Sequence, residues 1–419
     1  MPDRRGDGTR VTSSAGIPGR QPEAAGGSPE SPRRRRRRLL RWIGLGLALL
    51  VLLGAGTGWW VYRKLDANIT ADTSAAAELE RYERERPAPG TSGSRNILLI
   101  GSDSRAGSGN ASYGRDKGTQ RSDTVILLHL PADRRSATAV SIPRDLMVDI
   151  PSCLGPGGSR SAEQFAQFNW AFQRGGAACT IRTAEKLTGI RIDHHMVVDF
   201  DGFKRMVDAI GGVEVCLKQP VNDPGAHLRL PAGRQVLRGE KALGFVRARY
   251  SLGDGSDTER MERQQHFLAS MVDKVQSNGV LLNPRRLYPL LDAATSSVTT
   301  DPGLASLRGL YELARALRSV PTDQVNFLTV PRRPYAANAN RDELVQPDAA
   351  RLFQRLRTDQ PLAVAPSTGS HERGTGSTTR PPTGTPSTAP HTTPTPGTDT
   401  SATPVPTFTG TTAGMTDCR

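Results

Sequence analysis

Asn96–Arg105 reads NILLIGSDSR. Its first six residues form a short continuous apolar run that ends at Gly101, the pattern of a strand buried on both faces. Thr124–Leu130 (TVILLHL) and Ala137–Pro143 (ATAVSIP) repeat that pattern and are joined by the turn-like PADRRS. Residues 161–173 and 180–188 read as helices, and His194–Phe200 (HHMVVDF) as a further strand. The DGFKRMVDAIGG that follows has a capping Asp at its start and a glycine pair at its end, which are helix start and stop signals. VEVCL (Val213–Leu217) is a strand, and LRLPAGRQVLRG reads as a hairpin leading into KALGFVRARY. Asp257–Gln276 sets Met261, Leu268, Met271, Val272 and Val275 at helical spacing. Helices over 284–294, 303–318 and 347–358 and the strand VNFLTVP complete the pattern. The fold class is α/β, a mixed central sheet flanked by helices.

The chain has 419 residues, of which 36% are hydrophobic, enough to bury a sizeable core. Both ends are biased. Residues 1–38 are rich in Pro, Gly, Ser and Arg and read as a disordered basic segment. Residues 362–419 are dominated by Thr, Pro, Gly and Ser and read as a disordered tail. Between them lie an apolar span at 39–62, a polar connector at 63–93, helical near AAAELERYERER, and one large domain at 94–361.

A net charge of +14 raises the possibility of nucleic-acid binding. The run Arg33–Arg38 supplies much of it, and the next segment accounts for that run. From Trp42 to Tyr62 the sequence carries no charge, and Trp42 at one end faces Trp59, Trp60 and Tyr62 at the other. Some twenty apolar residues are enough to cross a bilayer, and aromatic residues gather at its interfaces. The arginines hold the N-terminus in the cytoplasm by the positive-inside rule, which leaves everything after Tyr62 outside. A DNA-binding role conflicts with that topology. A cleaved signal peptide with an A-x-A-like site near Ala55 is the rival reading, against which stand the length of the apolar run and the aromatics after it.

Four cysteines fit an oxidising compartment. Cys153 (IPSC) and Cys179 (GGAACT) flank a Gly-rich loop and are expected to pair, the alternative being two free thiols. Cys216 alternates with Val213 and Val215 as a buried strand residue, and Cys418 sits in the tail. No His-and-base arrangement suggests a catalytic cysteine.

Asp103 in GSDSR follows the first strand and Asp123 in QRSDT opens the second, so both lie at strand ends, where α/β folds gather ligand-binding groups. Two adjacent carboxylates repel unless a cation lies between them, and magnesium takes one or two carboxylates while keeping water or phosphate oxygens. Asx-turn capping is the structural alternative for each. Arg144 in SIPRD ends the third strand. In Arg247–Gln265 (RARYSLGDGSDTERMERQQ), Arg247 and Arg249 are two apart and point the same way if the segment is extended. Arg260 and Arg263 are three apart in the first turns of a helix, with Gln264 on the same face and Asp257 as the expected N-cap. The planar guanidinium fork matches phosphate oxygens, and a helix N-terminus favours the same anion. A basic outer face is the alternative.

NILLIGSDSR, QRSDTVILLHL, SIPRD, IDHHMVVDFDGFKRMVDAIGGVEV, GEKALGFVRARY and DTERMERQQ, in that order behind one N-terminal span, resemble the LytR–CpsA–Psr family of actinobacterial type. The resemblance covers roughly Arg95 to Val275. It implies a phosphotransferase outside the cell membrane that moves a glycopolymer from a polyprenyl-pyrophosphate carrier to the muramic acid C6 hydroxyl of peptidoglycan. Matched motif by motif, Asp103 and Asp123 would hold magnesium, with manganese as the alternative. Arg121, Arg144, Arg247, Arg249, Arg260 and Gln264 would bind the pyrophosphate, with Arg263 close by, and Asp103, Asp123 and Arg144 would carry the chemistry. The prenyl chain would lie in an apolar groove between sheet and helices. A non-catalytic lipid- or polysaccharide-binding module and a lipid pyrophosphatase are the competing functions.

Overall fold

The computed structural model of the chain describes residues 32–91, 93–103, 122–155, 157–248, 257–277, 284–365 and 406–414. The chain divides into two units, Met1–Trp60 and Val61–Arg419. What is described of the first is helix α1 (Pro32–Ala67), which continues past the boundary. Its stretch Leu39–Ala67 is long and apolar enough to cross a membrane, and its most apolar window is not buried against protein.

The second unit holds the expected mixed sheet. Among the described residues its nine strands run in the order β1 (Thr70–Ala71), β12 (Val298–Thr300), β7 (His194–Asp199), β2 (Arg95–Ser102), β3 (Ser122–Leu130), β4 (Ala137–Ile142), β13 (Val325–Thr329), β17 (Thr407–Thr412) and β16 (Ala363–Ala365). The β2–β3 and β3–β4 pairs are antiparallel, whereas β2–β7 and β4–β13 are parallel. Four two-stranded pairings complete the β structure: β5 (Met147–Ile150) with β6 (Gln164–Gln167), β8 (Val213–Leu217) with β11 (Gly233–Leu237), β9 (Val221–Asp223) with β10 (Leu228–Leu230), and β14 (Arg332–Tyr335) with β15 (Asn338–Leu344). The helices after α1 are α2 (Thr73–Arg81), α3 (Asn169–Thr188), α4 (Phe200–Ala209), α5 (Gly239–Arg247), α6 (Asp257–Ser277), α7 (Pro284–Ser297), α8 (Leu307–Arg318) and α9 (Asp348–Arg357).

Successive residues of a strand face opposite sides, so the continuous apolar runs feed two cores. Leu98 and Ile100 of β2, with Val125 and Leu127 of β3, join Ile181 of α3 and Leu352 and Phe353 of α9. Ile97 of β2, with Ile126 and Leu128 of β3, joins Ala269 of α6 and Leu313 of α8. Each fully buried aliphatic side chain contributes about 2 kcal/mol through the hydrophobic effect. A third cluster joins α4, α5 and α6 to the β8–β11 hairpin through Val207, Phe245, Phe267 and Val215.

Several local expectations give way to tertiary context. Residues 161–173 begin as strand β6, because Gln164–Gln167 pairs with β5, and the helix starts only at Asn169. KALGFVR is helix α5, so the extended segment considered at Arg247 does not form there: Ala242 and Phe245, with the capping Ala248, recur every three residues on the buried side. LRLPAGRQVLRG is not one hairpin, since β10 pairs with β9 and β11 with β8. The cap of α4 is Asp199 rather than Asp201, its carboxylate accepting the N–H of Gly202 at 2.8 Å. Part of the expected disordered tail is ordered, because β17 pairs antiparallel with β13 and buries Phe408 and Thr411. Averaged composition conceals that strand, whose β-branched threonines suit a pleated surface. Residues 366–405 and 415–419 lie outside the described residues.

Cys153 and Cys179 form a disulfide across 26 residues. Gly175 lies against it, where a Cβ would stand 2.9 Å from Cys179 Cβ and 3.0 Å from Cys153 Cβ. Cys216 is also disulfide-bonded, which the reading of it as a plain strand residue did not foresee. Cys418, the remaining cysteine of the sequence, lies outside the described residues. Replacing Cys153 and Cys179 together by serine should cost about 3 kcal/mol of unfolding free energy, as loop-closure entropy predicts for a loop of this length. Urea denaturation of the variant and the parent checks this.

The connector docks through Asp72. Its backbone N–H donates to Thr300 O at 2.8 Å, and its carboxylate caps α2 at Ala75 N and lies 3.5 Å from Nε2 of His195. The imidazole of His195 is the main reason that the Asp72 carboxyl is held down at about 2. The folded value lies below the unfolded one, so the stabilisation is present above about pH 4 and fades as pH falls through about 2. Asp72→Asn should flatten the acid limb of stability in that window, as thermal melts between those pH values would show.

Candidate functional site

The end of the sheet where β2 and β7 finish and β3 begins carries the charged groups. Leu99 pairs with Ile126, Ile100 with Val125 and Gly101 with Thr124, but Ser102 then pairs with Ser122, skipping Asp123. This is a bulge in β3, and a bulge re-aims a side chain. Asp123 and Thr124 consequently both line one cavity, which neighbouring residues of a regular strand cannot do. Asp103 follows β2 directly and Asp199 ends β7, opposite Ser102. Asp199 is a third carboxylate at this edge, and the sequence reading treated its segment only as strand.

Arg144 follows β4. Val125 pairs with Ile142, so the same register carries Arg144 to Asp123, and Nη1 donates to Asp123 Oδ1 at 3.1 Å. Its Nε donates to Asp145 Oδ2, also at 3.1 Å. Asp145 is in turn held by Gln167 Nε2 and by Arg341 Nη1. The guanidinium is thereby fixed between two carboxylates, and its backbone carbonyl accepts the N–H of Asn169 at 3.0 Å. Asp145, Gln167 and Arg341 were missed in the sequence. The adjacency of Asp145 to Arg144 was the one available signal, since Arg341 arrives from a segment 196 residues away.

Helix α6 brings the other cations. Gln265 anchors it to the sheet, with Nε2 donating to Ser141 Oγ at 3.1 Å and Thr329 Oγ1 at 2.8 Å. That phase turns Arg260, which is 5% exposed, and Gln264 to the cavity. Gln264 Nε2 donates to Val246 O at 3.0 Å and so ties α6 to α5. Arg247 is the last residue of α5, not part of an extended segment, and its guanidinium stacks 4.6 Å over the Phe200 ring. Arg263 does not line the cavity. It turns instead to the carbonyl of Ala248, and burial lowers its pKa against the opposing pull of Glu259 and Asp223. Arg121 and Arg249 lie outside the described residues, as does the side chain of Asp257.

A cavity of about 520 Å³ is lined by two kinds of side chain, the charged and polar Asp123, Arg144, Arg247, Arg260 and Gln264 and the apolar Phe203, Met206, Phe267, Leu268 and Met271. The arrangement suits an elongated amphiphile with an anionic head. A long apolar tail would meet apolar side chains, and the head would meet guanidinium groups, of which Arg144 is oriented by two carboxylates. Asp103 and Asp123 are hard oxygen donors, and Arg144 engages Oδ1 of Asp123. Among the described residues no cluster of three or more His, Cys, Asp or Glu side chains forms a metal site. Two carboxylates suit an ion that keeps water or phosphate oxygens in its shell, as magnesium does, better than a zinc-type cage.

The chain matches the LytR_cpsA_psr family over residues 65–358. The cell wall biosynthesis protein LcpA of Corynebacterium glutamicum is 34% identical over 310 residues, 68% of this chain and 58% of that protein. The chain thus spans less than two thirds of that relative's length. The polyisoprenyl-teichoic acid–peptidoglycan teichoic acid transferase TagT of Bacillus subtilis is 28% identical over 304 residues, 70% of this chain and 88% of that protein. The crystal structure of protein gbs0355 from Streptococcus agalactiae superposes with a TM-score of 0.53 at 22% identity, covering 64% of this chain and 89% of the other. That likeness concerns the fold.

Arg260→Ala should weaken binding of inorganic pyrophosphate by roughly ten- to a hundredfold, the usual worth of a charge-assisted hydrogen bond. Isothermal titration calorimetry measures it, with circular dichroism confirming the fold.

Proposed function

The chain belongs to the LytR–CpsA–Psr family, and from that premise we propose that it transfers a glycopolymer from a polyprenyl-pyrophosphate carrier to the muramic acid C6 hydroxyl of peptidoglycan. The observation that carries this reading is a cavity lined by both guanidinium groups and apolar side chains. A polyprenyl pyrophosphate has an anionic part and an apolar part to match. The name of TagT supplies the class of donor and acceptor, with teichoic acid as one such glycopolymer. Helix α1 is the membrane anchor in this reading, with its arginine-rich start in the cytoplasm and the domain outside.

The chemistry is one displacement at phosphorus. The C6 hydroxyl attacks the sugar-proximal phosphorus, a new oxygen–phosphorus bond forms, and the bond to the bridging oxygen breaks. The polyprenyl phosphate leaves with that oxygen, and the product is a phosphodiester between glycopolymer and peptidoglycan. The hydroxyl proton passes to a carboxylate at the strand ends, Asp103 or Asp123. Arg144, Arg247 and Arg260 offset the negative charge that accumulates on the phosphate oxygens, and Arg121 and Arg249 belong to the same group by motif. Preorganised donors of this kind stabilise the transition state more than the ground state because they need no rearrangement. Arg144, pinned by Asp123 and Asp145, is the clearest such donor. Asp103 and Asp123 would hold magnesium, or manganese in its place, which when bound supplies Lewis-acid polarisation of the phosphoryl oxygens.

The test uses the full chain in vesicles with a labelled lipid-linked glycopolymer, peptidoglycan and magnesium. Label should become covalently attached to peptidoglycan, and chelation should abolish attachment. Arg144→Ala should reduce the rate by about a hundredfold or more with the fold retained. Binding without turnover would sink the transferase reading, and cleavage of the donor without attachment would indicate a pyrophosphatase.

A further inference from the structure

In a displacement at phosphorus the attacking and leaving oxygens stand roughly in line. The acceptor therefore enters from the side away from the departing polyprenyl phosphate, whose tail suits the apolar lining of the cavity. Of the groups around Arg144, Asp123 lines that cavity, whereas Asp145, Gln167 and Arg341 do not. Those three mark the place beside the guanidinium where an acceptor can stand.

The β5–β6 pair supplies a surface there. Its register sets Met147 opposite Gln167, Val148 opposite Ala166 and Asp149 opposite Phe165. Val148, Ile150 and Ala166 are in the core, and successive residues alternate faces. Asp149, Phe165 and Gln167 consequently share the other face. Gln167 reaches Asp145, and Phe165 stands about 7 Å back along the same strand. Phe165 is 53% exposed, and its ring lies 6.1 Å from that of Tyr335, tilted by 59°. Tyr335 ends β14, whose partner β15 brings Arg341 to Asp145 at 3.4 Å. The Asp342 N–H of β15 also donates to the Asp145 carbonyl at 3.1 Å. Asp145 thus ties both the strand that carries Phe165 and the hairpin that carries Tyr335 to Arg144.

Single exposed apolar side chains are ordinary on a protein surface. Here the ring is paired with a second one, and the residue opposite it, Asp149, is exposed. An aromatic face is electron-rich and attracts C–H groups, which cover one side of a pyranose ring, and a carboxylate accepts sugar hydroxyls. Gln167 and Asp145 stand between the rings and Arg144, which leaves room for the reacting sugar itself. The geometry points to Phe165, Tyr335 and Asp149 as a subsite that holds a neighbouring sugar of the acceptor's glycan strand. The inference rests on the transferase reading of the site.

The experiment uses the full chain in vesicles with the labelled lipid-linked donor, magnesium and two acceptors: soluble uncross-linked glycan strands of several disaccharides, and a single disaccharide muropeptide. Phe165→Ala/Tyr335→Ala should raise KM for the strands about tenfold, with kcat and the donor KM within about twofold of the parent. KM for the single disaccharide should rise less than about twofold, because it does not reach the rings. Phe165→Trp, which keeps an aromatic face, should hold the strand KM within about threefold of the parent. An unchanged strand KM, an equal rise on both acceptors, a loss in kcat alone or a rise in the donor KM instead overturns the inference and leaves the proposed function standing. Self-association of the parent that the double variant loses, read by analytical ultracentrifugation in detergent, assigns the rings to a second copy of the chain and also overturns it. Attachment of label to neither acceptor by the parent overturns the proposed function, and the inference falls with it.

Discussion

The register of β2, β3 and β4 is the constraint on which the site depends. Gly101 sits opposite Thr124, and Val125 sits opposite Ile142. Those pairings are fixed by the burial of both faces, since a slip of one residue would carry every Leu, Ile and Val to the wrong core. With the register fixed, the skipped pairing at Asp123 and the continuation to Arg144 follow as consequences. The ion pair between them is the functional end of a ladder whose stability comes from apolar packing further down the same strands.

The cations around the cavity are not equivalent, and their surroundings say why. Arg144 is pinned by two carboxylates, with one of these held by Gln167 and Arg341. Arg247 lies over an aromatic face, and Arg260 is almost wholly buried. Arg263, one helical position from Gln264, is turned by the backbone of Ala248 toward a structural contact. A buried guanidinium without compensation would be costly. The carboxylates beside Arg144 and the Ala248 carbonyl beside Arg263 supply that compensation and orient both groups.

Much of the architecture was legible in the chain. The apolar runs at β2, β3 and β4, the spacing of α6, and the Cys153–Cys179 pair can be read without coordinates. The misreadings share a cause. An extended segment does not hold at Arg247, which ends α5, because the three-residue apolar spacing of KALGFVR packs as a helix face. The strand at Thr407–Thr412 was lost in a Thr- and Pro-rich average, although Phe408 and Thr411 pack there. Gln164–Gln167 became a strand because β5 offered a partner, which local propensity cannot know. The strand pattern around Cys216 likewise carries no sign that it is disulfide-bonded.

By itself the sequence determined the chemical inventory: which residue types stand at strand ends, how apolar runs alternate with helices, and that one long uncharged stretch precedes the domain. Those properties are local, being set by side-chain type and spacing along one segment. Only the tertiary structure decided that Asp123 turns into the cavity beside Thr124, that Arg263 turns away from it, and that Asp145, Arg341 and Asp199 lie near the same edge. Each of these depends on register and helix phase between segments many residues apart, and register is fixed by the packing of two cores at once.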